Sequence, residues 1–203
     1  MKKSSLNPRY ILASASPRRK DILRQSGFKF ETVPSTVRET WQESEPPSRL
    51  VKRLAHLKAA SVARRFKKQD HPCYVIGADT IVVLGRRIFG KPKSLIQAQE
   101  MLLCLSGKTH RVYTGTAVIH AQSGQSFLAH DYSKVTVKKL TPEFALKVGQ
   151  KHRDKSGSYA CQDKTHNIVA KIEGEWQTVA GLSMRRLRSL LKLHKIKKRG
   201  RIF

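Results

Sequence analysis

The stretch Cys73–Pro92, CYVIGADTIVVLGRRIFGKP, decides how this chain is read. Tyr74, Val75 and Ile76, then Ile81, Val82, Val83 and Leu84, are large apolar or β-branched residues, which predicts a largely buried strand ending in a turn at Gly85. Asp79 stands in the middle of that run. An isolated buried charge is costly, so this carboxylate is paired, holds a metal, takes part in catalysis, or caps neighbouring amides after Gly77. Just beyond the strand, Lys91 lies in the Gly90–Pro92 turn, and the rest of the chain can be read as supplying partners to these two side chains.

Composition narrows the classes. A chain of 203 residues with 39% hydrophobic content has enough apolar mass for a core, in one domain or a two-lobed one. The formal charge is +27, from 41 Lys and Arg against 14 Asp and Glu, a field that draws in polyanions: nucleotides, nucleic acid or acidic membrane surfaces. Cys73, Cys104 and Cys161 are odd in number and widely spaced, without metal-type Cys/His spacing, which fits free thiols in a reducing compartment. The apolar stretch before Pro17 is too short for a signal peptide or a membrane span, so a cytoplasmic location is expected.

Working outward, Tyr10–Ala13 predicts a first strand, and SASPRRKDILRQSG a helix with Ser16 as N-cap, Pro17 at its first position and Gly27 at its end. Free amides at that helix start favour a phosphate, and Arg18 and Arg19 are either ordinary surface arginines or its counter-charges. FKFETV, Phe28–Val33, alternates like a strand. In the connection that follows, Glu39, Glu43 and Glu45 either balance charge or supply an oxygen ligand for a hard cation. Ser48 is placed as the cap of a helix whose stripe is Leu50, Val51, Leu54, Leu57 and Val62, with Lys58 at its edge as a snorkelling or functional lysine. Ser94 caps a helix closed by Gly107, and SGKTH, Ser106–His110, lacks the spacing of a P-loop. Val112–Ile119 and Ser126–Val137 predict a hairpin, and Pro142 starts another helix. Strands are placed at His166–Ile172 and Gln177–Val179, and a helix near Ser183–Leu193 runs into a basic tail at about 194–203. Gln162, in a turn-rich segment, is a surface residue or a reader of a base edge.

These pieces together resemble the Maf (septum-formation protein) family of nucleoside triphosphate pyrophosphatases over nearly the whole chain. The matching motifs are LASASPRR at Leu12–Arg19, the acid Glu39, RLAxxKA at Arg53–Ala59, GADT at Gly77–Thr80, GKP at Gly90–Pro92, LSGKTH at Leu105–His110, GxYxxQ at Gly157–Gln162 and VxGL at Val179–Leu182. The resemblance implies an α/β fold similar to the inosine-triphosphatase-like pyrophosphatases: a long twisted mixed sheet with flanking helices, two lobes and a central cleft, the chain forming a single domain over 1–203. It also implies hydrolysis of a nucleoside triphosphate to the monophosphate and pyrophosphate with a divalent cation, Mg²⁺ or Mn²⁺. Asp79 matches the proton acceptor, Glu39 and Asp79 the metal ligands, and Lys58 and Lys91 the remaining catalytic cations. Ser14, Ser16, Arg18, Arg19, Thr80 and Gln162 match substrate-binding positions. This is the set that water attack at an α-phosphorus requires, where positioning and electrostatics carry the reaction.

Arg18, Thr80 and Gln162 resemble the branch acting on dTTP and UTP, the alternative being the branch acting on 7-methyl-GTP. Three departures leave room for modified pyrimidine nucleotides: GLS at Gly181–Ser183, the segment DKTHNIVAKIE after Gln162 in place of a glycine-rich link, and the high charge. A homodimer and a part in cell-division arrest follow from the resemblance alone. A basic nucleic-acid-binding or regulatory protein is the reading from another class. Its charge and tail favour non-specific contact with nucleic acid, while 7% aromatic content and the lack of a recognition motif speak against it.

Overall fold

The structure, a computed structural model, describes residues 8–41, 45–163 and 165–199, with side chains described as far as residue 193. It is a mixed α/β fold with a seven-stranded sheet and flanking helices. In chain order the elements are β1 (Arg9–Leu12), α1 (Pro17–Gln25), β2 (Glu31–Thr32), α2 (Pro47–Ala63), β3 (Cys73–Leu84), β4 (Arg87–Phe89) and α3 (Leu95–Leu105). They continue with β5 (Thr109–His120), β6 (Ser126–Val137), α4 (Pro142–Lys151), β7 (Val169–Glu173), α5 (Trp176–Ala180) and α6 (Met184–Arg199). The strand order is β2-β1-β3-β5-β6-β7, with β4 paired to β3 off this path. β1 runs parallel to β2 and β3, whereas β3–β4 and β6–β7 are antiparallel.

The chain divides into two compact units. The first comprises Met1–Asp79, Gly115–His130 and Leu182–Phe203. Its core gathers Ile11, Ala55, Ala59, Val62, Val75 and Ile119. Helix α2 lies against the sheet because two strand positions carry no side chain. A Cβ at Gly77 would stand 2.9 Å from the Ala59 Cβ and closer still to the Ala55 carbonyl, and one at Gly115 would strike the Val51 carbonyl. The second unit comprises Thr80–Thr114 and Asp131–Gly181. Its core gathers Val82, Phe89, Leu102, Leu105, Val135 and Val148. The division falls on β3, between Asp79 and Thr80.

The β3 strand is buried along nearly its whole length, as its apolar run predicts. Ser16 and Pro17 start α1, and the helix stops at Gly27, whose φ of 77° is the left-handed turn expected after a helix. Four local expectations need correction, besides the strand placed at His166–Ile172, which forms only over Val169–Glu173. The segment Phe28–Val33 forms only the two-residue strand Glu31–Thr32. Helix α2 begins at Pro47 with Pro46 at its cap, rather than at Ser48, since a proline at the first helical position needs no partner for an amide. Leu57 is 38% exposed: the buried stripe runs through Val51, Ala55, Ala59 and Val62, small enough to sit on Gly77, which turns Leu57 outward and brings Lys58 to the stripe's edge. Gln177–Val179 is not a strand but part of the helical turn α5, which ends at Gly181 with φ of 115°. Glu43 and the end of the basic tail, residues 200–203, lie outside the described residues.

Candidate active site

In the first unit, β3 and α2 set Asp79 and Lys58 face to face. Asp79 is 4% exposed, and its Oδ1 accepts a 2.6 Å hydrogen bond from Lys58 Nζ. The same ammonium lies 2.8 Å from Glu39 Oε1, on the connection before α2. One cation thus bridges a buried carboxylate and a half-exposed one. That answers the question posed by Asp79: it is paired, as a charge in so apolar a strand must be.

Glu39 is held near by a device the sequence did not reveal. The Arg53 guanidinium forks onto Glu45, with Nε 2.9 Å from Oε1 and Nη2 2.6 Å from Oε2, and the same Nη2 donates to the Thr40 carbonyl at 3.0 Å. Arg53 therefore ties the Glu39 connection to α2, and holds the Glu45 carboxyl below its ordinary value through its hydrogen bonds. Of the three candidate acids, Glu45 is engaged in this clamp and Glu39 meets the lysine. A cue was present, since Arg53 belongs to the same helical motif as Lys58.

The turn between β1 and α1 brings three further candidates to this group. Ser14 is buried, and its hydroxyl accepts from the Ser16 amide at 3.2 Å and from Arg19 Nη1 at 3.1 Å. Loss of solvent around Arg19 pulls its guanidinium pKa down, while the nearby carboxylates of Asp79 and Glu39 push it back up and Arg18 beside it pulls it down. Arg19 thus belongs to the same charge cluster as Asp79. The Ser16 side chain makes no capping bond to α1, so this helix start is built by backbone and proline. Arg18 is half-buried at the first turn of the helix.

Lys91, Thr80 and Gln162 belong to the second unit. The Thr114 hydroxyl donates to the Thr178 carbonyl at 2.7 Å and lies 2.9 Å from the Thr80 hydroxyl. With its only proton committed, Thr114 must accept from Thr80, so the Thr80 oxygen has only acceptor capacity left. Ser156 Oγ donates to the Thr80 carbonyl at 3.0 Å, and the Gly157 amide to the Gly90 carbonyl at 3.1 Å. Ser156 and Gly157 thus tie Thr80 and Gly90 to the start of the GxYxxQ segment. Gln162 is exposed on the turn that follows.

Residues of the SGKTH motif also take structural roles. Gly107 turns the chain from α3 into β5, and buried His110 meets the Tyr159 hydroxyl through Nε2 at 2.7 Å. Burial brings the His110 pKa down to about 4.

Among the described residues no group of three or more His, Cys, Asp or Glu side chains could hold a metal ion. The carboxylates of Asp79 and Glu39 nevertheless fit a hard cation bound chiefly through substrate phosphates, because Mg²⁺ at such sites takes one or two protein carboxylates and keeps its other ligands from substrate and water. That Lys58 spans both oxygens marks where positive charge is favoured. All three cysteines are free. No helix of the described residues is long and apolar enough to cross a membrane.

Residues 9–194 match the model of the family described as Maf-like protein. A dTTP/UTP pyrophosphatase of Shouchella clausii (strain KSM-K16) is 42% identical over 189 residues, 91% of this chain and 95% of the relative. A dTTP/UTP pyrophosphatase of Bacillus anthracis is 44% identical over 179 residues, 87% of this chain and 91% of the relative. A solved nucleoside-triphosphatase / dITP/XTP pyrophosphatase from Mycobacterium abscessus aligns over 94% of this chain and 96% of its own at 16% identity, with a TM-score of 0.40.

Proposed function

Since the chain belongs to the Maf-like protein family, we propose that it hydrolyses nucleoside triphosphates, dTTP and UTP first among them, to the monophosphate and pyrophosphate. The observation that carries this reading is the agreement between relatives bearing that name over nine-tenths of the chain and a buried carboxylate held at 2.6 Å by a lysine at the matching motif positions.

In this mechanism the oxygen of a water forms a bond to the α-phosphorus, the bond from that phosphorus to the bridging oxygen breaks, and pyrophosphate leaves with the bond's electron pair. Asp79 accepts the water's proton. Lys58 orients that carboxylate through Oδ1 and, with Arg19, places positive charge beside the anionic substrate. Ser14 holds Arg19 in place, and Ser16 and Arg18 sit at the α1 start, where free amides suit a phosphate. A divalent cation, held by Asp79 and Glu39, would neutralise the triphosphate and polarise its phosphoryl oxygens. Lys91 is assigned to phosphate binding, and Thr80 and Gln162 to the nucleoside. The acceptor-only Thr80 oxygen and the amide of Gln162 suit a pyrimidine edge that carries both donor and acceptor groups.

The whole chain acts in this reading as one nucleotide-pyrophosphatase domain, located in the cytoplasm with the nucleotide pool and assembled as a homodimer. The test is pyrophosphate release by the purified protein with Mg²⁺ or Mn²⁺ across dTTP, UTP, CTP, 7-methyl-GTP and the common purine triphosphates. Preference for dTTP and UTP supports the assignment. Preference for 7-methyl-GTP keeps the reaction and replaces the substrate, and no release from any nucleotide overturns the reading.

A further inference from the structure

Asp163 is an acid that the proposed mechanism leaves unused, and several polar groups converge on it. Its side chain is 6% exposed, and Oδ2 gathers two donors, His152 Nε2 at 2.7 Å and Lys151 Nζ at 3.1 Å, with the His166 ring 3.3 Å away but making no hydrogen bond to it. Oδ1 accepts from the backbone amides of Thr165 at 3.0 Å and His166 at 3.2 Å. Burial alone would raise the Asp163 pKa, but the bonds from Lys151, His152 and the His166 amide outweigh it and hold the carboxyl well below the usual carboxylate range.

Both side-chain donors come from the end of α4. Lys151 ends α4 and His152 is its C-cap, whereas His166 lies on the turn beyond Asp163 and stacks on Phe144 of α4 with ring centroids 6.2 Å apart. An ionised Asp163 only accepts, so neutral His152 must present its proton on Nε2, which fixes the tautomer of a side chain that is itself buried. Further along the turn, Lys138 donates through its amide to the Ile168 carbonyl and through Nζ to the Asn167 carbonyl. Residues 163 and 165–168 are thus held to α4 by the Asp163 carboxylate and the His166–Phe144 ring contact, and steadied at their far end by Lys138. Gln162, exposed, is the residue immediately before that carboxylate.

We infer that Asp163 is a positioning residue for substrate discrimination: by anchoring its turn to Lys151 and His152, it sets the backbone from which Gln162 presents its amide to the nucleobase. Anchoring at the next residue restricts the backbone that carries Gln162, so its side chain searches for the base from a fixed starting point. The ordering cost of a loop contact is then met on folding and not on binding, which appears in KM. This rests on the function proposed above, in which Gln162 contacts the base.

The experiment is a double-variant cycle, Asp163→Ala, Gln162→Ala and both together, reading KM and kcat for dTTP, UTP and CTP alongside amide hydrogen exchange over residues 161–168. Asp163→Ala is expected to raise KM for dTTP by about tenfold with kcat within about threefold, and in the Gln162→Ala background to add less than about twofold, since residues acting as one unit are not additive. Exchange at Thr165 and His166 is expected to speed up. An undiminished KM effect in the Gln162→Ala background, or unchanged exchange, overturns the inference. If Asp163→Ala does not fold, His152→Ala removes the Nε2 hydrogen bond to the same carboxylate and is judged on the same two readouts. A wild-type protein that releases no pyrophosphate refutes the functional half through the parent reading, and the exchange data still judge the anchoring separately.

Discussion

Replacing Gly77 by alanine adds one methyl group to β3 at the point where α2 crosses it, two residues before Asp79. The new Cβ would stand 2.9 Å from both the Cβ and the amide nitrogen of Ala59, and closer to the Ala55 carbonyl oxygen, whereas ordinary contact begins at 3.4 Å. The helix must therefore retreat by at least 0.5 Å at Ala59, and further at Ala55. Lys58 is carried on the same turn, so its 2.6 Å bond to Asp79 lengthens with the helix. Overpacking of this kind costs about 1–3 kcal/mol. At roughly 2–4 °C per kcal/mol for a chain of this size, the midpoint should fall by about 2–12 °C. Activity should suffer more than stability, because a displacement near 1 Å at a reacting group costs up to about a hundredfold in rate. Thermal unfolding and kcat/KM for dTTP, measured well below the variant's midpoint, are the assays. A Gly77→Ala protein with wild-type midpoint and wild-type kcat/KM would refute the claim that this close approach sets the Lys58–Asp79 geometry.

Arg53→Ala should release the Glu39 connection, raising KM, and should destabilise the protein at neutral pH. Because Glu45 is held below its ordinary value of 4.5 in the folded state, that stability is fully present above about pH 5 and is lost as pH falls through the lower folded value, so the wild-type advantage in urea unfolding should shrink by pH 3.5. His110 has the opposite chemistry and the same direction. Its folded value of about 4 lies below the ordinary 6.5, so the unfolded chain binds the proton first and stability falls as pH drops from 6.5 towards 4, by on the order of 3 kcal/mol. His110→Gln should flatten that part of the stability–pH profile, and a profile unchanged by the substitution would remove His110 from the account.

The main strand and most helix ends were legible because their signals are local. The apolar run of β3, the Ser-Pro start of α1 and the Ser94 cap of α3 each specify their own element, and the Asp79–Lys58 pair was legible as a demand, since a carboxylate in an apolar strand requires a partner. What escaped depended on distant parts of the chain. Gln177–Val179 has strand-like composition but forms a short helix between Glu175 and Gly181. Leu57 fits the helical stripe by period, yet Gly77 demands alanines where α2 meets the sheet and rotates the stripe away from it. Glu39 and Glu45 look alike in sequence, and only the fork of Arg53 onto Glu45 tells them apart. Asp163 shows no periodic or motif signal at all, because its partners are gathered by the packing of one turn on α4.

The most direct test compares pyrophosphate release from dTTP by the wild-type protein and by Asp79→Asn, with thermal unfolding of both as a control. Asparagine keeps the shape of the side chain and an oxygen for Lys58 while removing the proton acceptor, so the variant should fold and lose hydrolysis. A folded Asp79→Asn protein with full activity would contradict the account, since the buried carboxylate would then have no part in the chemistry.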